Sequence, residues 1–323
     1  MGILSMYCFK YQTQQYKRLS KMRFSLIYVI SAVALMYACT ASDKNHDALK
    51  SQIEEIAAKT PGQVGVAVIY GTDTLTVNNS EAYPLMSMFK LHEAIAVCHT
   101  LEKTKAGLDT TLIIKRNMLD HGTWSPMLKD YAADSFHISA GKLVEYILID
   151  SDNNASNILF DSIVSVAATD SIISEILPGR GFRLSHTEAE MQKKHELSYK
   201  NATSPLAYAS LVNRVFSDSI ISHQSQSFII QLMYDCNTGM SRIAAGLPDS
   251  VAFAHRTGSG YVNERGEVVA VNDGGYVSLP DGRAYSIAVL VKDYAGPQED
   301  AEKVISEISK TIYKYISDYG MQH

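Results

Sequence analysis

Apolar positions along this chain recur at two periods, and the period changes twice. From Asp47 to Lys59 the spacing is helical, with Leu49, Ile53, Ile56 and Ala57 on one side, and Pro61-Gly62 ends it. The pattern then shortens to strands, Val64–Tyr70 and Asp73–Val77, joined by a Gly-containing turn. After Asn78-Asn79-Ser80 the residues Leu91–Cys98 read as a buried helix. From 104 to 234 the chain reads as almost continuously helical, most clearly over Lys142–Ile149, Asn154–Val164, Asp170–Leu177, Pro205–Phe216 and His223–Met233. A polar loop, Gly179–Thr203, interrupts these helices; a loop that long inside a compact domain is functional or disordered. Strands return at Val251–Ala254, Val268–Val271, Tyr276–Leu279 and Ala284–Lys292, with Asp281-Gly282 as a hairpin turn. A helix over Asp300–Tyr319, carrying Val304, Ile305, Ile308, Ile312 and Ile316, closes the chain.

Strands near both ends with helices between predict a two-lobed α/β (α+β) fold. Residues 42–84 and 235–323 would pair into one antiparallel sheet flanked by the terminal helices. Residues 85–234 would form a helical lobe, with the active site in the cleft between the two.

Composition adds little to this picture, but charge and the N-terminus add more. The apolar and charged fractions, 46% and 20%, are those of an ordinary globular protein. The formal charge is −5, and residues 1–39 hold five Lys and Arg with no Asp or Glu, so the remainder carries −5 − 5 = −10. A body that acidic excludes nucleic acid as the expected partner. Lys21-Met22-Arg23 followed by an apolar run from Phe24 to Ala38 reads as an export signal over residues 1–39, with Met22 as a possible true start. Met36-Tyr37-Ala38-Cys39 is a loose lipoprotein cleavage box, and lipid on Cys39 would be the one route to a membrane. The expected location is therefore outside the cytoplasm, in the periplasm. The two remaining cysteines, Cys98 and Cys236, sit in apolar surroundings expected to be helical and are expected to be free thiols.

Candidate chemistry begins at Ser87-Met88-Phe89-Lys90. In a helix, positions i and i+3 share a face, so the hydroxyl and the amine would point the same way. The amine can activate the hydroxyl if burial or a neighbouring cation takes its proton. The pattern is weak, because it recurs at Ser139-Ala140-Gly141-Lys142, where the serine looks like a helix N-cap. Two further clusters are Ser151-Asp152-Asn153, which alone reads as an Asx-rich turn, and Arg256-Thr257-Gly258-Ser259, which alone reads as a strand ending in a glycine turn.

Taken in order, these three clusters resemble the active-site set of penicillin-recognising serine enzymes. Ser151 follows Ser87 by 64 residues but Ser139 by only 12, and this selects Ser87. The chain is similar to class A serine β-lactamases, in the branch with extended-spectrum cephalosporinases, from the Asp47 helix to the closing helix. The resemblance implies a hydrolase that opens β-lactam rings, with Ser87 acylated, Lys90 as its proton partner and Ser151 relaying a proton to the lactam nitrogen. Asn153 would bind the acylamido side chain, Trp124 would wall the pocket, and the backbone N–H groups of Ser87 and Ser259 would form the oxyanion hole. Arg256, Thr257, Gly258 and Ser259 would receive the substrate carboxylate, with Arg242 as a second cation for it.

In the same resemblance Glu188-Ala189-Glu190-Met191-Gln192 matches the family's Glu-x-x-Leu-Asn loop. Glu188 would be the base that activates water to deacylate Ser87, and Glu190 is the competing register. Gln192 stands where relatives have Asn, and Arg256 where they have Lys; Arg keeps the charge but is planar and does not release a proton. A D-Ala-D-Ala peptidase with the same motifs would lack a deacylating Glu, and a β-lactam sensor would need further membrane spans or a cytoplasmic effector. No cofactor or metal is expected, since His92-Glu93-Ala94-Ile95-Ala96 lacks the second His of a zinc helix. The expected partner is a small β-lactam substrate, and the expected state is a monomer.

Overall fold

The computed structural model describes residues 46–319 except Glu81 and Arg180; the signal segment 1–39, Met22 and Cys39 lie outside the described residues. Helix α1, over residues 46–59, stops at the predicted Pro61-Gly62. Strands β1 (Gln63–Tyr70) and β2 (Asp73–Val77) follow as a hairpin, paired from Val66↔Val77 to Tyr70↔Asp73. Val64, Val66, Ala67 and Val68 are all buried, because both faces of β1 are covered. A short strand β3 (Tyr83–Pro84) leads through a 3-10 turn, Met86–Met88, into α2 (Phe89–Lys103). Every residue from Phe89 to Cys98 is buried, the ionisable Lys90, His92 and Glu93 among them.

Residues 104–139 depart from the helical reading. They hold the hairpin β4 (Thr111–Lys115) and β5 (Ser135–Ser139), separated by the one-turn helix α3 (Met127–Asp130). Thr111, Ile113 and Lys115 face outward while Leu112 and Ile114 are half-buried, a two-residue period that Ile113 conceals by being 66% exposed. Helix α4 (Ala140–Glu145) then starts with Ser139 accepting from the Lys142 N–H, the cap expected of the second Ser-x-x-Lys. It widens into a π turn over Tyr146–Asp150 and delivers Ser151 in the left-handed region, at φ 64°.

Helices α5 (Asn153–Ser162) and α6 (Val166–Ile176) precede the long loop, whose described residues form short strands and helical turns. Its feet, β6 (Phe182–Arg183) and β7 (Ala202–Thr203), pair with each other, and β7 also pairs with β3. Between them stands helix α7 (Glu188–Lys193). Helices α8 (Pro205–Ser217) and α9 (His223–Tyr234) complete this part.

Three long strands and a helix finish the chain: β8 (Ala252–Ser259), β9 (Val268–Ser278), β10 (Ala284–Tyr294) and α10 (Gln298–Tyr319). The five-stranded antiparallel sheet runs β2-β1-β10-β9-β8, so strands from before and after the helical segment build one sheet, with β2 and β8 at its edges. Strand β9 does not break at Asn272–Gly275, where polar residues and glycines suggest an interruption. Asn272 donates to the Pro84 carbonyl at 2.6 Å, and Asp273 accepts from the Ile243 N–H at 3.1 Å, so the buried polar groups are paired inside the strand. Gly274 leaves room for the Tyr208 ring, which a Cβ would meet at 2.8 Å. On α10, Ala301, Ile305, Ile308, Ile312 and Ile316 are fully buried, each Ile contributing about 1.5–3 kcal/mol by leaving water. Both Cys98 and Cys236 are free and buried, but Cys236 follows α9 rather than lying in a helix.

Candidate active site

Ser87 is presented by a strained turn. Met86, immediately before it, has φ 47°, a conformation that a non-glycine residue holds only when its surroundings enforce it. The enforcing contact is visible at Gly258: a Cβ there would lie 2.4 Å from the Leu85 carbonyl oxygen and 3.1 Å from the Met86 Cβ. Edge strand β8 thus packs directly on the Ser87 turn, and only glycine permits that approach. Gly260 donates to the Ala270 carbonyl, so by strand alternation the Ser259 N–H points away from β9, out of the sheet edge.

Around Ser87 the polar groups converge. Ser87 Oγ donates to Glu188 Oε1 at 3.2 Å, and Lys90 Nζ donates to Ser87 Oγ at 3.2 Å. Lys90 is fully buried and also donates to Asn153 Oδ1 at 2.6 Å, to the Ser151 carbonyl at 2.8 Å and to Ser151 Oγ at 3.4 Å. Its Nζ lies 3.2 Å from Glu188 Oε1 as well. Burial holds the Lys90 ammonium below its ordinary value; the Glu188 carboxylate opposes this and the Arg256 guanidinium adds to it. The amine is therefore drawn toward its neutral, proton-accepting form.

Local sequence explains each placement. The side chain of Asp152 caps α5 by accepting from Ala155 N and also takes Met127 N and Ser125 Oγ, which fixes the Ser151–Asn153 turn against α3. Asn153 completes its amide by donating to Thr123 Oγ1 at 2.8 Å. In the long loop, Thr187 and Glu190 form a capping box: Glu190 N donates to Thr187 Oγ1 at 3.2 Å, and Glu190 Oε2 accepts from Thr187 N at 2.9 Å. That occupies Glu190 and leaves Glu188, at the first helical position, to face Ser87. The loop is anchored by Asn201, whose Oδ1 accepts from Ser185 N and His186 N, and by Asn157, which accepts from Ala189 N.

The cleft these groups share holds roughly 500 Å³ and is lined by Ser87, Trp124, Ser151, Asn153, Glu188, Gln192, Thr238, Thr257 and Ser259 among others. A larger hollow of about 760 Å³, beside the loop's feet at Phe182, Arg183, Ala202 and Thr203, contains none of the polar groups around Ser87. Trp124 is 62% exposed on the rim and tied to the Asp150 carbonyl through its indole N–H at 2.8 Å.

Two of the expected substrate cations stand back from the cleft wall. Arg256 is fully buried; its Nη1 donates to Thr238 Oγ1 at 3.2 Å, while Nε and Nη2 have no protein partner. Arg242 is 2% exposed rather than at the surface and bonds the Gly258 and Asn272 carbonyls, Glu302 and, at 2.6 Å, Ser259 Oγ. Its reach into the cleft passes through the Ser259 hydroxyl. Sequence reasoning missed the groups beneath: Glu93, one helical turn after Lys90, is fully buried with its Oε2 accepting from Ser156 Oγ at 2.7 Å. It also missed a buried Asp273–His255 pair at 2.9 Å beside Cys236. Three-residue helical spacing from Lys90 could have drawn attention to Glu93; nothing local connects the other three. Among the described residues no cluster of His, Cys, Asp and Glu has the arrangement of a metal site.

A sheet assembled from both chain ends, with a serine, a buried lysine and a loop glutamate converging at its edge, is the architecture of the class A serine β-lactamases. A family model described as "Beta-lactamase enzyme family" matches residues 48–316, and the chain belongs to that family. A β-lactamase of Phocaeicola vulgatus is 44% identical over 271 residues, covering 83% of this chain and 84% of that protein. The extended-spectrum β-lactamase PER-1 of Pseudomonas aeruginosa is 33% identical, covering 83% and 87%. Among solved structures, TLA-1 extended-spectrum β-lactamase superposes with a TM-score of 0.81 at 34% identity, covering 84% of this chain and 99% of that one.

Proposed function

We propose that this protein hydrolyses the β-lactam ring of cephalosporins and penicillins through an acyl-enzyme on Ser87. The observation that carries the reading is the position of Glu188 Oε1, 3.2 Å from both Ser87 Oγ and Lys90 Nζ. Ser87 Oγ attacks the lactam carbonyl carbon and gives up its proton to the Lys90–Glu188 pair. The C–N bond breaks, and the ring nitrogen takes a proton through the Ser151 hydroxyl, which Lys90 replenishes. Glu188 then removes a proton from water as that water attacks the ester, and Ser87 leaves with a proton returned to its oxygen.

Backbone N–H groups of Ser87 and Ser259 are the donors assigned to the developing oxyanion, about 3–4 kcal/mol each in acyl transfer. The substrate carboxylate lies against Thr257, Thr238 and Ser259, with Arg256 and Arg242 acting from behind these hydroxyls. Asn153 and Gln192 flank the acylamido side chain and the deacylating water, and Trp124 closes the rim. The extended-spectrum names of two relatives support cephalosporins as substrates. In this reading the enzyme is exported to the periplasm as a monomer, and Cys39 is the residue that would carry a lipid.

Purified mature protein is expected to turn over a chromogenic cephalosporin many times per active site. One equivalent of product without turnover would point to a penicillin-binding peptidase or a sensor instead. Among the described residues no single helix is long and apolar enough to cross a membrane.

A further inference from the structure

Beneath the carboxylate side of the cleft, a buried chain of hydrogen bonds leads from the sheet to the surface that meets substrate. Asp273 on β9 holds His255 Nδ1 at 2.9 Å, and the His255 ring neighbours the Cys236 sulfur closely enough for each to shift the other's protonation. Cys236 Sγ lies 3.4 Å from Thr238 Oγ1, and Thr238 Oγ1 lies 2.6 Å from Thr257 Oγ1. The Thr238 oxygen also accepts from Arg256 Nη1 at 3.2 Å. Thr238 and Thr257 line the cleft, whereas Cys236, His255 and Asp273 are at most 5% exposed.

We infer that the proton on Cys236 sets the direction of this chain, and with it whether Thr257 offers a hydrogen-bond donor or only lone pairs to the substrate carboxylate. The inference rests on the proposed function, because it concerns recognition of the carboxylate in that reaction. The number of donors in the chain fixes the direction of each bond. Burial would lower His255, but the Asp273 carboxylate and the bond to Cys236 hold it up at about 10, so the ring is an imidazolium at working pH. Its Nδ1 then donates to Asp273, and the ring offers the sulfur no acceptor. A proton on Cys236 has one acceptor left, Thr238 Oγ1. Thr238 in turn donates to Thr257, and the Thr257 O–H is free to point at a carboxylate.

Remove the thiol proton and every step reverses. The thiolate only accepts, so Thr238 donates to sulfur, and its two lone pairs take Arg256 Nη1–H and the Thr257 O–H. Thr257 then turns lone pairs toward the substrate anion. Burial would raise Cys236, but His255, Arg256 and the Thr238 hydroxyl draw it down to about 6. The charged and titratable groups that act on it are His255 and Arg256 from β8 and Tyr208 from α8, with Asp273 from β9 paired to His255; burial pushes the Tyr208 phenol up, so it stays neutral. Carboxylate recognition should therefore weaken as pH rises through about 6.

The test compares kcat/KM for a chromogenic cephalosporin with kcat/KM for its carboxylate methyl ester, because the ratio cancels ionisations of Ser87, Lys90 and Glu188. In the native protein the ratio should fall about tenfold between about pH 5 and pH 7. In Cys236→Ala and Cys236→Ser it should stay flat, at the native acid-side value. A flat native ratio, or the same slope in Cys236→Ala, would overturn the inference. Loss of hydrolysis of both compounds at every pH would overturn the hydrolytic reading and this inference with it.

A second measurement needs no cysteine variant. Burial pushes Cys98 up to about 12, so in protein that lacks residues 1–39, and with them Cys8 and Cys39, thiolate ultraviolet absorbance at lower pH reports Cys236. Its midpoint should rise when a penicillin is held as the acyl-enzyme of Glu188→Gln. An unmoved midpoint, or no transition below about pH 8, would overturn the proposal.

Discussion

At the scale of single residues, the site is a set of charges whose burial decides their form. Lys90 is pulled toward neutrality by desolvation, with Glu188 resisting. Glu93, on the same helix face, is fully buried, and burial raises its carboxyl well above 4.5 even though the Ser156 hydroxyl and Lys90 oppose the shift. A folded value raised above the unfolded one makes Glu93's stability contribution fully present below about pH 4.5 and lost as pH rises toward the folded value. Glu93→Gln is a neutral isostere, so it should remove that slope and leave the protein at least as stable at pH 7. Glu93→Ala should cost about 1–3 kcal/mol, because it leaves the Ser156 hydroxyl buried without a partner. Chemical denaturation across pH checks both; an unchanged slope in Glu93→Gln would show that Glu93 is ionised in the folded state. This residue was not legible in the sequence, because a Glu in a mostly apolar stretch of helix gives no sign of what lies across from it.

At the scale of elements, short caps and turns aim the reactive groups. The choice between Glu188 and Glu190 turns on the Thr187 cap, which consumes Glu190 and leaves its neighbour free. Thr187→Ala should cost about 1 kcal/mol, mainly within α7 and its loop. The loosened loop should lower kcat more than it changes KM, and a burst of acylation should precede a slower steady state in stopped-flow traces. Unchanged kcat with the cap removed would show that Glu188 is held by other contacts. The same scale shows what sequence reveals and conceals. Ser-x-x-Lys, Ser-Asp-Asn and the Arg-Thr-Gly strand are weak patterns singly, and their convergence could be anticipated only because their order resembles the active-site set of a known family. The β4–β5 hairpin was hidden because its apolar contrast is weak and Ile113 sits on the outer face. Strand β9 looked broken because the partners that satisfy Asn272 and Asp273, Pro84 and His255, come from distant segments. For the same reason Cys236, His255 and Asp273 gave no joint signal.

At the scale of the whole molecule, the fold exists to bring one sheet edge against one helix start. Chain ends that pair as β1 and β10 leave β8 as a free edge, and Gly258 lets that edge touch the Ser87 turn. The intervening helices carry Ser151 and Asn153 to Lys90 from one side, and the loop brings Glu188 from another. That topology was readable from the change of hydrophobic period, because a sheet built from both termini needs its helices in between. Burial of Arg256 and Arg242 was not readable, since a cation near a glycine turn reads the same whether it faces the cleft or lies behind it. The central claim is that Glu188 releases an acyl group from Ser87, and the most direct test is mass spectrometry of Glu188→Gln after mixing with a cephalosporin. A stable one-to-one adduct on Ser87 is expected, with turnover reduced about 10²–10⁴-fold. Turnover equal to the native enzyme with no adduct would contradict it.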